Sequence, residues 1–504
     1  MEKKDKVIVI GLDGATFNVI SPLVERGELP TIKKVLENGA SAHLASTIPP
    51  LSSTAWASFM TGMTPSNHGA YDFIIKKQGS YGSKFLNGTL IKAPAFWETL
   101  GSAGKKAIVQ NVMGTYPPKP VNGYLITGFL SPPGAGYTYP ATFQEEIEQR
   151  FGNYPRAPGT SVPPGGEREY IQQVFDNFKK RVDITHYLLD TKEWDLFVVV
   201  FEATDILQHA FWKYHAEPQR IGKDALFIQN AIPEIYRRFD VLLSQILEKI
   251  DKNTTLVVVS DHGFNCLHKV IFMNNLLMDM DLLTLKKRPS TQLKKLCLKY
   301  HLNAETLVTI GEKMGFKIKG AAIENKKGQQ IANKLFLSQH DIDWKKTKAF
   351  SVGVGGHIYI NLKEKESQGN VSFTEYRELK AFLTRMLENL KDPETGENII
   401  KEVYQKEELY QGQYASSAPD LSILPHEGYF PLYKEHFISP SFLMKPSVSG
   451  GHTLHGVFIM YGKDVCKGVK IPQMNIWDVA SIVCKIFHVD ASHMDGKVPD
   501  GLFV

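Results

Sequence analysis

Lys6-Val-Ile-Val-Ile-Gly-Leu-Asp13 is an aliphatic run that ends in an acid. The same pattern returns as Leu196-Phe-Val-Val-Val-Phe-Glu-Ala-Thr-Asp205 and as Thr255-Leu-Val-Val-Val-Ser-Asp261. Uninterrupted β-branched runs of this kind suit strands buried on both faces of a parallel sheet. Helix-like stretches over 94–103 and 234–250 stand among them, and strands alternating with helices predict a doubly wound α/β fold with a mostly parallel sheet. In such a sheet ligands gather outside the carboxyl ends of the strands, so the three acids are expected to converge there.

Beyond Asp261-His-Gly-Phe264 the composition changes. Residues 269–348 carry 16 Lys and Arg against 7 Asp and Glu, whereas the whole chain of 504 residues nets only +5. The remainder is therefore slightly acidic, and the basic charge belongs to one segment. Within it, 276–307 reads as helical and Ile358-Tyr-Ile-Asn-Leu362 as a strand. These shifts divide the chain into a catalytic core, first part, over 1–268, an inserted basic cap over 269–416, and a second part of the core over 417–504. In that last part Asp420-Leu-Ser-Ile-Leu424 and Gly456-Val-Phe-Ile-Met460 are expected to rejoin the core sheet, and 476–487 to close it as a helix.

Composition also excludes several classes. Hydrophobic residues at 43% and charged residues at 22% are ordinary for a globular protein and rule out a disordered tail, a collagen-like repeat or a coiled coil. A net charge this small is not the dense basic stripe of a nucleic-acid platform. No window reaches the roughly 18 apolar residues that span a bilayer. The basic head Met1 to Lys6 precedes an apolar run too short for a signal peptide, which points to the cytoplasm. The four cysteines, Cys266, Cys297, Cys466 and Cys484, form no C-x-x-C pair, so neither a zinc ribbon nor a disulfide framework is expected.

Five features could carry chemistry. Asp205-Ile-Leu-Gln-His209 sets a carboxylate and an imidazole four apart, on one face if a helix starts there, although Asp is also a common helix cap. Asp261-His262-Gly263 places an acid beside an imidazole at a strand end. Asp13 lies in a Gly-Leu-Asp-Gly turn. Pro49-Pro-Leu-Ser52-Ser53-Thr54 puts hydroxyls before a helical run, as N-caps or as a nucleophile where free N–H groups attract an anion. Ser449-Gly-Gly-His452-Thr-Leu-His455 offers two further imidazoles. Together they supply oxygen and imidazole donors suited to two Zn²⁺ or Mn²⁺ ions, a recurring device for phosphoryl transfer.

In this order the residues resemble the alkaline phosphatase superfamily, and within it the type I phosphodiesterase/nucleotide pyrophosphatase family. The resemblance runs from the first strand to the final His motif and is weakest in the basic insertion. It implies one metal on Asp205, His209 and His452, and a second on Asp13, Asp261, His262 and the nucleophile oxygen. It implies Zn before Mn. The tail Thr61-Gly-Met-Thr-Pro65-Ser-Asn-His68-Gly69 matches the family pattern, and counting nine residues back from Thr61 reaches Ser52, with Ser53 and Thr54 as alternatives. His455 is the alternative to His452, and His68 is read as structural. Sulfatases, which need x-Pro-x-Arg after their nucleophile, do not match Ser52-Ser-Thr-Ala-Trp56.

The activity this implies is hydrolysis of a phosphodiester or nucleotide pyrophosphate through a phosphoserine at Ser52. The partner is a small anionic phosphate ester, with no membrane and no stable nucleic-acid complex. A phosphomonoesterase, a phosphomutase on the same metal site, and a non-catalytic binding protein are the alternatives. Trp56, Tyr71, Phe73, Tyr116, Phe211 and Trp212 lie near the motifs and either stack on a substrate or fill the core.

Overall fold

The computed structural model describes residues 5–159, 162–216, 224–300, 302, 332–434 and 436–504. Its centre is a 10-stranded sheet. The parallel middle runs Thr254–Val259, Lys6–Leu12, Leu196–Phe201, Ala107–Val112 and Gly123–Thr127. His455–Tyr461 adds antiparallel to Thr254–Val259 and is followed outward by Ala40–Ala45.

Both faces of this sheet are buried, which is why its strands need no polar alternation. Along Lys6–Leu12, Ile8, Ile10 and Leu12 enter one apolar cluster with Phe178, Leu207 and Phe239. Val7 and Val9 enter the other with Trp56, Phe59 and Phe96. Phe458, in the antiparallel strand, is 0% exposed in the second cluster. Phe458→Ala should therefore cost about 3–5 kcal/mol, the usual range for emptying a buried aromatic site, read as a lower denaturant midpoint with unchanged slope.

Register brings the acids together. Leu12 pairs with Phe201 and Gly11 with Val259, so Asp13, the start of the helix Ala203–Ala216 that carries Asp205, and Asp261 all lie at the carboxyl ends of adjacent strands. The strand Gly263–Ile271 then turns away and pairs antiparallel with Gly450–Thr453, with Phe264 opposite His452.

The insertion builds its own sheet from Ala349–Ser351, Ile358–Ile360, Leu421–Pro425 and Ile400–Gln405, around a core that includes Ile358, Leu383, Leu387, Leu421 and Ile423. The expectation that Asp420-Leu-Ser-Ile-Leu424 rejoins the main sheet is therefore corrected. Leu421 and Ile423 point into the insertion's core, and Asp420 accepts from Ile360 N at 2.7 Å and Tyr376 Oη at 3.0 Å. The chain returns to the main sheet only at His455–Tyr461. The helical reading of 276–307 also divides. Met273–Asp279 and Pro289–Lys299 are separate helices, parted by Asp281 at positive φ and by Pro289, while 301 and 303–307 fall outside the described residues. The closing helix is Asp478–Ile486. None of the four cysteines is in a disulfide, and no described helix is long and apolar enough to cross a membrane.

Candidate metal centre and nucleophile

Asp205 and His209 sit in the first two turns of Ala203–Ala216. The helical spacing does bring them onto one face, with His209 Nε2 3.3 Å from Asp205 Oδ1. His452 Nε2 lies 3.4 Å from the same oxygen and 2.9 Å from His209 Nε2. A second group adjoins it, since the His262 ring stacks on His452 with centroids 3.6 Å apart. His262 Nε2 is 3.2 Å from Asp261 Oδ2, 3.6 Å from Asp13 Oδ1 and 3.0 Å from Ser52 Oγ.

The tautomers are fixed by the backbone. His209 Nδ1 faces Gly450 O at 2.9 Å, His262 Nδ1 faces Gly263 O at 3.1 Å, and His452 Nδ1 faces Pro50 O at 3.0 Å. A carbonyl oxygen only accepts, so each Nδ1 carries a proton, and each ring in its neutral form turns the Nε2 lone pair inward. Two buried carboxylate oxygens, Asp205 Oδ1 and Asp261 Oδ2, have no hydrogen-bond donor. Lone pairs meeting lone pairs are repulsive without a cation between them. This donor set fits two divalent metals, with main-chain carbonyls orienting the imidazoles from behind.

Without metal the charge balance shows the same demand for positive charge at these groups, His209, which burial would lower, being raised by Asp205. Burial, with the nearby Asp261 and Asp205 carboxylates, raises Asp13 well above the usual carboxylate range. Burial pushes Asp261 up to about 8 against the opposing Gly14 N–H bond. Asp205 behaves oppositely: burial would raise it, but His209 and His452 hold it well below its ordinary value. Burial and the neighbouring His452 keep His262 neutral.

Ser52 opens the helix Ser52–Thr61, and the cap residue is Leu51, which makes no side-chain bond. The hydroxyls are thus not N-caps, as the sequence had suggested, but occupy the first turn. The first intrahelical bonds run from Thr54 N and Ala55 N to Leu51 O, so the amides of Ser52 and Ser53 stand at the open, electropositive end. Among the three hydroxyls only Ser52 reaches the ligand cluster, while Ser53 Oγ and Thr54 Oγ1 are buried without partners. His455 is exposed at the start of its strand. His68 is fully buried, bonded to Ser58 Oγ at 2.8 Å and to Ala70 N at 3.2 Å.

Of the six aromatic residues near the motifs, Trp56, Tyr71, Phe211 and Trp212 are buried. Trp56 has a further role that sequence reading missed. Its Nε1–H donates to Asp13 Oδ2 at 2.9 Å, leaving Oδ1 toward Ser52 at 3.5 Å. The signal was its i+4 spacing from Ser52, which puts both on one helix face. Phe264, edge-on to His209 at 4.8 Å, was likewise missed.

A family profile described as type I phosphodiesterase/nucleotide pyrophosphatase matches residues 7–438. The chain belongs to this family. It is, accordingly, a phosphoric ester hydrolase of the alkaline phosphatase superfamily, in which catalysis depends on metal. The matched span takes in Asp13, Ser52, Asp205, His209, Asp261 and His262, whereas His452 lies beyond it.

Solved structures share the fold. Human ectonucleotide pyrophosphatase/phosphodiesterase 5 aligns with a TM-score of 0.52 and 14% identity, covering 98% of this chain and 97% of the other. An inactive variant of the murine protein in complex with AMP aligns at 0.53 and 14%, covering 98% of each. No curated protein matches the chain in sequence.

Proposed function

We propose that this phosphodiesterase/nucleotide pyrophosphatase acts through Ser52, with two divalent ions held by the seven residues named above. Asp205, His209 and His452 would hold one ion, and Asp13, Asp261, His262 and Ser52 Oγ the other. The observation that carries this reading is the convergence of three Nε2 atoms on two orphaned carboxylate oxygens. Three imidazoles among four hard oxygen donors favour Zn²⁺ over Mn²⁺. When bound, such ions act as Lewis acids that make a hydroxyl nucleophilic and stabilise charge on phosphoryl oxygens.

The chain's own residues supply the rest. Trp56 and Gly14 fix the Asp13 and Asp261 carboxylates, and Gly263 O holds His262 by its Nδ1–H, leaving Nε2 free for the ion. Ser52, its hydroxyl proton lost to solvent, would attack phosphorus through Oγ; the bond to the ester oxygen breaks and that oxygen takes a proton from water, leaving a phosphoserine whose P–Oγ bond water then cleaves, restoring the hydroxyl. The helix amides beside Ser52 face the developing charge. A cavity of about 730 Å³ lined by His452, Pro50, Phe17 and Lys401 adjoins this centre and is large enough for the organic part of a nucleotide-sized ester. The murine relative that binds AMP is consistent with that size.

Metal-loaded protein assayed on bis-p-nitrophenyl phosphate, p-nitrophenyl phosphate, a nucleotide 5′-phosphodiester and a nucleoside triphosphate tests the reading. Preferred turnover of the diesters and triphosphate supports it. Turnover of the monoester alone would replace it with a phosphomonoesterase, and transfer without net phosphate release with a mutase.

The basic insertion is further proposed to attract the anionic ester. Part of its charge is neutralised internally, since Lys269 pairs with Asp392 and Glu394 and Lys294 with Asp341. The residual effect should therefore be modest. The expected result is a kcat/KM that falls as ionic strength passes roughly 0.1 M, where the Debye length is about 10 Å, with kcat nearly constant. Indifference to salt would reduce the patch to solvation.

A further inference from the structure

The turn that carries Ser52 is gripped from the insertion side. Tyr410 Oη donates to Ile48 O at 3.3 Å. The loop Gly353-Val-Gly-Gly356 lies directly against Pro49 and Leu51, so close that a Cβ on Gly355 would sit 2.7 Å from Pro49 Cγ and 3.0 Å from Leu51 Cδ1. The fastening of this loop is Asp72, a core residue only 2% exposed. Its Oδ1 accepts from Ile74 N at 3.1 Å and Val354 N at 3.0 Å, and its Oδ2 from Gly355 N at 2.7 Å. Gly353, at φ +91°, has no room for a side chain because a Cβ would fall 2.5 Å from Asp72 Cγ. One residue further on, the buried His357 donates Nε2–H to Tyr71 O at 2.9 Å and meets Ser422 Oγ at 3.0 Å.

The loop thus backs Pro49 and Leu51 closely on one side, while Pro49 and Pro50 border the cavity beside the metal centre on the other. A buried carboxylate accepting three main-chain N–H bonds is poorly replaced by any other side chain, because an amide turns one acceptor into a donor facing a donor. Reaction rates fall steeply when a nucleophile is displaced by even part of an ångström.

We infer that Asp72 is a positioning residue for catalysis: through the Gly353–Gly356 loop it presses Pro49 and Leu51 into place and so sets Ser52 against its ligand cluster. The insertion is in this sense part of the catalytic machinery, beyond any role as a cover. The inference rests on the reading of Ser52 as nucleophile.

The test compares Asp72→Asn, Gly355→Ala and Ser52→Ala in the full chain loaded with metal. It measures metal per chain, KM, and kcat per metal-loaded molecule on bis-p-nitrophenyl phosphate. Asp72→Asn should lose on the order of 10–100-fold in kcat with KM within about twofold, the split expected when an interaction serves the reaction step and not ground-state binding. Gly355→Ala leaves the Asp72 carboxylate in place but pushes Pro49 and Leu51, and also crowds Asp72 Oδ2, which a Cβ would meet at 3.1 Å; it should lose about 10-fold in kcat with two metals retained. If Asp72→Asn fails to fold, Gly355→Ala decides. Normal kcat per loaded molecule in the folded variants, with activity lost only in proportion to metal content, would overturn the inference and leave a structural role. Activity surviving in Ser52→Ala would instead overturn the nucleophile reading, a distinguishable failure.

Discussion

Ser52→Ala should lower kcat by roughly 10³-fold or more while leaving metal content and fold intact. The hydroxyl is the one oxygen of its helix turn that meets the cluster, 3.0 Å from His262 Nε2 and 3.5 Å from Asp13 Oδ1, and no neighbouring side chain can take its place. Six donors remain for the metals, and removing one small hydroxyl opens a negligible void. The control is Ser53→Ala. Ser53 Oγ is buried without a partner, so its loss removes an unsatisfied polar atom and should leave kcat within a few-fold and stability unchanged or slightly raised. Turnover on bis-p-nitrophenyl phosphate with parallel elemental analysis reads both. If the Ser53 variant is dead and the Ser52 variant active, the register of the nucleophile is off by one.

The sequence reading named the sheet and all seven clustered residues, six of them because each stands at a local pattern. Aliphatic runs end in Asp13, Asp205 and Asp261, and helical spacing puts His209 over Asp205. The choice of His452 over His455 rested on resemblance to the family and not on a local pattern. What places His452 in the cluster is the antiparallel register that sets it opposite Phe264, a pairing between segments almost two hundred residues apart. The same limit explains Leu421–Pro425, whose Leu-Ser-Ile alternation fits any half-buried strand, and only the partner sheet determines which core it joins. Asp72 was invisible for a related reason. Two of its three hydrogen bonds come from main-chain N–H groups of a distant loop, and main-chain donors leave no mark in the sequence of either segment beyond the glycines that permit the approach.

Removing metal should abolish hydrolysis and destabilise the fold together. Without cations the cluster holds Asp13, Asp261 and Asp205 within reach of one another. Burial and their mutual repulsion keep protons on the first two, with Asp261 shifted up to about 8. Loading must displace those protons, so titrating Zn²⁺ into stripped protein near neutral pH should release protons, detectable as a binding enthalpy that scales with the ionisation enthalpy of the buffer. The sign follows: acidification favours the protonated, metal-free state, and affinity should fall as pH drops below the raised Asp261 value. Each ion that binds only the folded state adds about 4 kcal/mol at 1,000 times its dissociation constant, so a chelator should lower Tm as well as erase turnover, and readdition of Zn²⁺ should restore both. Asp205→Asn separates the two sites, because it weakens only the His209–His452 ion while the Asp13–Asp261–His262 group stays whole. One metal per chain and lost turnover is the expected outcome for that variant. Full activity in protein that elemental analysis finds free of metal would sink the two-ion reading.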